Sequence, residues 1–273
     1  MNHSVINNLL LHKKNGHKMP VIFIGHGSPM NAIDDNRYTR ALNQIGKDLP
    51  VPDAILCISA HWMTEGTWVT QMEHPRTIHD FYGFPQELFD VQYPAPGSPQ
   101  LAELVQQEVT TPQVQADNHS WGLDHGTWSV LKHLYPSANI PVVQLSLDMT
   151  RGPAYHFELA KQLAALRERG VLILGSGNMV HNLRQLRREA NAQPHDWALE
   201  FDHWMKTRLE QRDFHAIQHD YLNTAAGRLA NPSQDHYYPL LYTLGASLPD
   251  DELNFIYEEM QNASLSMRSV RLG

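Results

Sequence analysis

Five short apolar runs punctuate the chain: VIFIG (21–25), AILCISA (54–60), TWVTQM (67–72), IPVVQLSL (140–147) and VLILGSG (171–177). They are rich in β-branched residues, and near-continuous runs of this length predict strands buried on both faces. The segments between them change period. SPQLAELVQQEV (98–109), TWSVLKHLY (127–135), AYHFELAKQLAALRERG (154–170) and PHDWALEFDHWMKTRLEQ (194–211) carry apolar residues at helical spacing. Ser98 stands at an N-cap position with Pro99 just inside the helix, Gly170 stands at a C-cap, and Pro194 opens the last of the four. Strands alternating with helices predict an α/β fold, a central sheet flanked by helices. There is no internal repeat, and the densest Pro/Gly stretch, QYPAPGSPQ (92–100), is short enough to be a loop. The expectation is a weakly ordered leader over 1–18 followed by one domain over 19–273.

Ligands in open α/β sheets sit outside the carboxyl ends of the strands. VIFIG runs into His26, flanked by Gly25 and Gly27; AILCISA runs into His61; VLILGSG is followed within a few residues by His181 in GSGNMVHN. One strand-end histidine is usually structural, but three at equivalent positions favour a shared site at that edge. The glycines around His26 permit close backbone approach, and on this reading a side chain at 25 or 27 would crowd the site. GSGN (175–178) invites comparison with a phosphate cradle, yet neither GxGxxG nor a Walker lysine is present. In WGLDHGTW (121–128), Asp124 either orients the His125 imidazole or caps a helix and leaves His125 exposed. In NPSQDHYYPLLY (231–242), His236 belongs either to the site or to a surface turn. The aromatic loop TIHDFYGFP (77–85) reads equally as a pocket wall for a planar ligand or as a satellite hydrophobic cluster.

Composition narrows the classes. Hydrophobic residues make up 42% of the 273 and charged residues 18%, so a large core is available and disorder is disfavoured. Lys and Arg number 21 against 29 Asp and Glu, a net charge of −8, which argues against nucleic acid or an anionic membrane surface as partner. No apolar run approaches the ~20 residues of a membrane span, and the order of charges at the start is wrong for a signal peptide. The lone cysteine, Cys57, lies inside an apolar run and reads as a buried thiol in a reducing, cytoplasmic compartment. The 17 histidines outnumber the 10 tyrosines and the 8 phenylalanines and are scattered along the chain. Imidazole is the commonest metal ligand and the usual acid–base group near neutral pH. There is no GxSxG elbow, HExxH helix, CxxC pair or basic aromatic stripe.

Seven blocks taken in order, GHGSPMN, SAHW, TIHDFYGFP, YPAPGSP, WGLDHGTW, GSGNMVHNL and HYYPLLYTLG, closely resemble the class III extradiol ring-cleaving dioxygenases, and within them the 4,5-DOPA extradiol dioxygenases of bacteria and plants. The likeness runs from about Met19 onward. It implies a single α/β domain with a mostly parallel or mixed sheet and one non-haem divalent metal at the carboxyl edge of the strands. It implies His26, His61 and His236 as metal ligands, His181 as the acid–base histidine beside the metal, near enough to ligate it, and His125 behind the ligands in the substrate pocket. Many class III enzymes use two histidines and one carboxylate. Here the third ligand looks like His236, with Asp235 and Glu252 the weaker carboxylate candidates. A three-histidine set carries less negative charge, which leaves both Fe(II), expected for activity, and Zn(II) as the bound metal.

The activity so implied is insertion of both atoms of O2 into a DOPA-like catechol, opening the ring to a muconic semialdehyde. The protein would act as a monomer or small homo-oligomer on small molecules alone. Two rival readings remain. Three histidines and a water also suit a zinc hydrolase, and the same cluster suits a metal- or aromatic-binding protein without catalysis.

Overall fold

The computed structural model describes residues 18–273. Of the expected leader only Lys18 falls within that range; the rest lies outside the described residues. Lys18 Nζ sits 2.7 Å from a carboxylate oxygen of the buried Asp251.

Eight strands form one sheet in the order β4-β3-β5-β2-β6-β1-β10-β7. They are β1 (Val21–Gly25), β2 (Ala54–Thr64), β3 (Thr67–Thr70), β4 (Val114–Asp117), β5 (Val142–Asp148), β6 (Val171–Gly177), β7 (Leu253–Tyr257) and β10 (Ser269–Leu272). A small separate hairpin pairs β8 (Met260–Gln261) with β9 (Leu265–Ser266). The middle of the sheet, β5-β2-β6-β1, is parallel. β3 meets β5 antiparallel on one flank, and β10 meets β1 antiparallel on the other. The sheet is therefore mixed, as the α/β pattern anticipated.

Alternation within the apolar runs explains why both faces are covered. Val21 and Phe23 of β1, Leu56 and Ile58 of β2, and Val171 and Ile173 of β6 enter one core. Ile22 and Ile24, Ile55 and Cys57, and Leu172 and Leu174 enter the other. The nine helices of the described residues are α1 (Arg37–Asp48), α2 (Gln86–Phe89), α3 (Pro99–Glu108), α4 (His125–Leu134), α5 (Pro153–Leu163), α6 (Asp196–Glu210), α7 (Phe214–His219), α8 (Ala225–Ala230) and α9 (Tyr238–Gly245). α1 and α4 cover the second core through Tyr38, Leu42, Trp128 and Leu131, while α3, α5, α6 and α9 cover the first. Among the described residues no helix is long and apolar enough to cross a membrane.

Local signals act as the sequence suggests. Ser98 Oγ accepts from Leu101 N, and Gly170 adopts φ +77° after a 3-10 extension of α5. The α6 helix opens at Asp196, two residues after Pro194, with no side-chain cap at His195. The main departure is β2. It does not end before His61 but runs on to Thr64, with its register to β5 broken between Ile58 and Met63. Such an irregularity bends a strand and re-aims its side chains, and here it falls on the segment carrying His61.

Candidate metal centre

His26 leaves β1 directly, its N–H donating to Gly177 O at 3.0 Å, and is only 2% exposed. Gly25 and Gly27 serve a neighbour other than the one the sequence suggested. A Cβ at Gly25 would come within 2.8 Å of the Met267 backbone, and Gly27, at φ +63°, faces the Met267 side chain. They make room for the turn into β10, and the site gains only indirectly. His236 precedes α9 and is buried, so it is no surface turn. Its carbonyl accepts from Asn178 N at 2.9 Å and lies where a Cβ on Gly177 would stand, 2.2 Å away. β6 can therefore bring its end against the His236 backbone only because residue 177 lacks a side chain. His181 follows β6, with its N–H donating to Ala230 O. His125 is the first residue of α4.

The five histidines predicted from the chain meet in one place. Ring centroids of His26, His61 and His236 form a near-equilateral triangle, 5.1, 5.1 and 4.9 Å on a side. One ring nitrogen of each lies within 4.8 Å of the others, so the three could hold a metal ion. His125 packs 3.9 Å from His61, and His181 lies flat on His236 at 3.4 Å.

Hydrogen bonds behind the rings fix which nitrogens face inward. Ser176 Oγ donates to Gly126 O at 2.6 Å, so towards His26 Nδ1, 3.0 Å away, it acts as acceptor. His26 Nδ1 then carries the proton and Nε2 is bare. His236 Nδ1–H donates to Asp235 Oδ2, again leaving Nε2 bare. The Nε2 atoms of His26 and His61 face each other at 3.2 Å, with Asp80 Oδ2 3.6 Å behind His61 Nδ1. Inward-facing imidazole lone pairs, each oriented from behind, are the donor set of a divalent metal centre.

Electrostatics keep the site ready for a cation. Burial, and then the neighbouring imidazoles, hold the His26 and His61 pKa values well below the ordinary histidine value. His181 is lowered by the same causes, with Asp235 opposing. All three are neutral at pH 7, the state a ligand or a general base requires. Burial pushes the Asp80 carboxyl up, but its hydrogen bonds and attraction to His125 outweigh this and hold it low.

Of the two readings of Asp124, the helix cap holds, though His125 is buried and not exposed. Asp124 does not orient His125. It caps α4 by accepting from Thr127 N, and its buried carboxylate is taken up by Ser59 Oγ and Gln144 Nε2, each at 2.7 Å. The residue that holds His125 is Asp80, whose Oδ1 accepts the backbone N–H at 2.9 Å and whose Oδ2 accepts Nδ1–H at 2.8 Å. The loop 77–85 thus supplies this carboxylate, while Phe81 and Phe84 pack on each other and against the second core as a satellite cluster. Phe81 also packs on His125 at 5.6 Å, while Tyr82 is 90% exposed. Of the carboxylate candidates, Asp235 already accepts the His236 proton, and Glu252 is exposed and outside the cluster. Ser176 and Asp80 lie in the segments GSGN and TIHDFYGFP that the sequence singles out, but neither residue nor Gln144 is marked there as a partner of a histidine or of Asp124. Only the fold brings them to the histidines.

Beside the triangle opens a cavity of about 310 Å³, lined by His181, Asn182, Leu183, Arg184, Pro232, Ser233, Asp235 and His236. Neither His125 nor the 77–85 loop is part of that wall.

A mixed α/β sheet delivering inward-facing histidines to a cavity at its carboxyl edge defines a metal-dependent enzyme of small molecules. Residues 19–273 match the family described as the catalytic LigB subunit of aromatic ring-opening dioxygenase. The chain belongs to this family of extradiol dioxygenases, the class its sequence blocks resembled. It is 47% identical over 259 residues to a protein of Escherichia coli K12 named 4,5-DOPA dioxygenase extradiol, covering 94% of this chain and 95% of that one. A Beta vulgaris protein of the same name is 34% identical over 91% of this chain and 94% of its own. The crystal structure of an uncharacterized protein from Escherichia coli K12 superposes with a TM-score of 0.82 at 43% identity, covering 94% of this chain and all of that one.

Proposed function

We propose that the protein opens the ring of a catechol bearing a DOPA-like side chain, using O2 and one divalent metal held by His26, His61 and His236, to give a muconic semialdehyde. The observation that carries this is the arrangement of the five histidines: three are close enough together to hold a cation, and two more, His181 and His125, stand beside them with other duties open to them. The names of the E. coli and Beta vulgaris relatives support DOPA as the substrate type. Three neutral ligands suit Fe(II) and Zn(II) alike. Iron would supply the redox chemistry that O2 requires; zinc, with one oxidation state, would not.

The protein's own groups supply geometry and proton traffic. His181 is neutral, lines the cavity, and has no hydrogen bond from its ring among the described residues. A ring nitrogen of His181 is therefore free to take the proton of a catechol hydroxyl and to return it later in the reaction. His125 is held by Asp80 at Nδ1, so its Nε2 is the atom that exchanges a proton on the far side of His61. The walls behind His26 and His236 are buried and exclude water from the ligand set. The single buried Cys57, its thiol pushed up by burial, fits work in the reducing cytoplasm.

The test is O2 uptake by metal-free protein reloaded anaerobically with Fe(II) and mixed with L-DOPA, beside a zinc-loaded control. Uptake with a yellow ring-opened product under iron alone is expected. No uptake with any catechol would overturn the reading.

A further inference from the structure

We propose that Arg184 anchors a carboxylate on the substrate's side chain, making the enzyme selective for catechols whose tail is acidic. The inference rests on the catechol reading above and asks what the cavity beside the metal ligands recognises.

A catechol held by its two hydroxyls must point any substituent on the opposite side of its ring away from the metal. The space for that substituent is the cavity whose inner wall is the His181–His236 stack and whose outer wall includes Leu183, Arg184 and Ser233. At about 310 Å³ it is at the small end for ligand sites, the size for a single ring with a short tail. Leu183 is 61% exposed on this rim, an apolar surface for the ring or its methylene.

Two charged residues line the cavity, and their situations differ. The Asp235 carboxylate is already engaged by His236 Nδ1–H and the Ser233 hydroxyl. Arg184 has no ion pair or side-chain hydrogen bond among the described residues, in a chain whose net charge is −8. Its position is nonetheless fixed. Arg184 N donates to Asn182 Oδ1 at 3.0 Å, and Asn182 is buried, its Nδ2 donating to Leu229 O at 2.7 Å and its carbonyl accepting from Ser264 Oγ at 2.9 Å. The short 3-10 turn Leu183–Gln185 therefore presents, from a backbone fixed by Asn182, an exposed guanidinium with no ion pair among the described residues at the edge of the cavity. A guanidinium so placed matches the planar fork of a carboxylate. An ammonium on the same tail would find no free anion in the wall.

The experiment compares L-DOPA with dopamine, which has the same ring and amine but no carboxylate, in Fe(II)-loaded wild type, Arg184→Gln and Arg184→Lys. The kcat/KM preference for L-DOPA over dopamine should fall about tenfold in Arg184→Gln, mainly through KM, with partial recovery in Arg184→Lys. A parallel titration of zinc-loaded protein, followed by calorimetry, should show the same fall in the ratio of Kd values without turnover. O2 uptake with an unmoved preference overturns the role of Arg184 and leaves the dioxygenase reading intact. No uptake by wild type with either catechol overturns the dioxygenase reading, and the Kd ratio then decides Arg184 alone: a fall upholds it, no change removes it.

Discussion

The imidazole of His181 lies on that of His236, centroids 3.4 Å apart and planes within 5° of parallel. Two rings in such contact cannot both be cations at modest cost, so on the proposed reading they would divide the work, His236 giving its lone pair to the metal and His181 keeping its own for the substrate. His181→Ala should then retain one metal per chain while kcat falls roughly 10²–10⁴-fold. His26→Ala, His61→Ala and His236→Ala should each lower metal content. Metal analysis beside O2 uptake separates the two behaviours. Loss of metal in His181→Ala, or full metal content in the three ligand variants, would reverse the assignment.

Asp80 grips His125 at both backbone and ring. Removing it frees the imidazole to rotate and to change tautomer. Asp80→Ala should lose roughly 10–100-fold in kcat, with KM for the catechol little changed and metal still bound. Asp80→Asn keeps an acceptor for the His125 N–H and should lie between the two. Steady-state kinetics and metal content on the same samples provide the check.

Gly177 has no room for a methyl group, because the His236 carbonyl stands 2.2 Å from where it would be. Gly177→Ala must push the His236 backbone away from β6. Stability should drop on the order of 1–3 kcal/mol, as for other overpacked positions, and metal affinity should drop with it. Denaturant unfolding and a chelator competition would show whether the two losses occur together, as a shared cause requires.

Arg167 is fully buried and bonds Asp251 through two guanidinium nitrogens, at 2.6 and 3.0 Å. Burial alone would raise the Asp251 carboxyl, but Arg167 and Lys18 bring it down to about 2. The unfolded value is about 3.9. The folded pKa is the lower one, so the stabilisation is complete above about pH 4 and is lost as pH falls towards 2. Asp251→Asn should remove that dependence and cost roughly 3–5 kcal/mol at pH 7, since it leaves a buried guanidinium without its counter-charge. Urea unfolding of both proteins at pH 7 and pH 3 measures it. A parallel acid response in the two would exclude the pair as its source.

The four central parallel strands were legible because each is largely buried on both faces and so writes a near-continuous apolar run. The far end of β2 was not. HWMT alternates buried and exposed positions beyond a register break, and looks like the start of a loop. α9 was hidden for the opposite reason: Tyr238–Gly245 is buried all round, so it shows no helical period. The histidines at 26, 61 and 181 could be found from their place after apolar runs, although His61 lies within β2. His236 could not be separated from a surface turn by its own neighbours, and only its resemblance to a known block singled it out. Asp124 stood as one candidate to orient His125 because it adjoins it in the chain, whereas the true partner is 45 residues away and reaches it through a folded loop.

The order of residues along the chain also sets an order in time. His26 and His61 leave the ribosome early, but His236 follows only after every central strand has been made, and β10, which pairs with β1 beside His26, comes later still. A growing chain thus presents His26 and His61 beside an open sheet edge well before the third residue of the triangle has been made. A chain truncated before β10 would carry His26, His61 and His236 yet lack the strand that pairs with β1 just before the first of them.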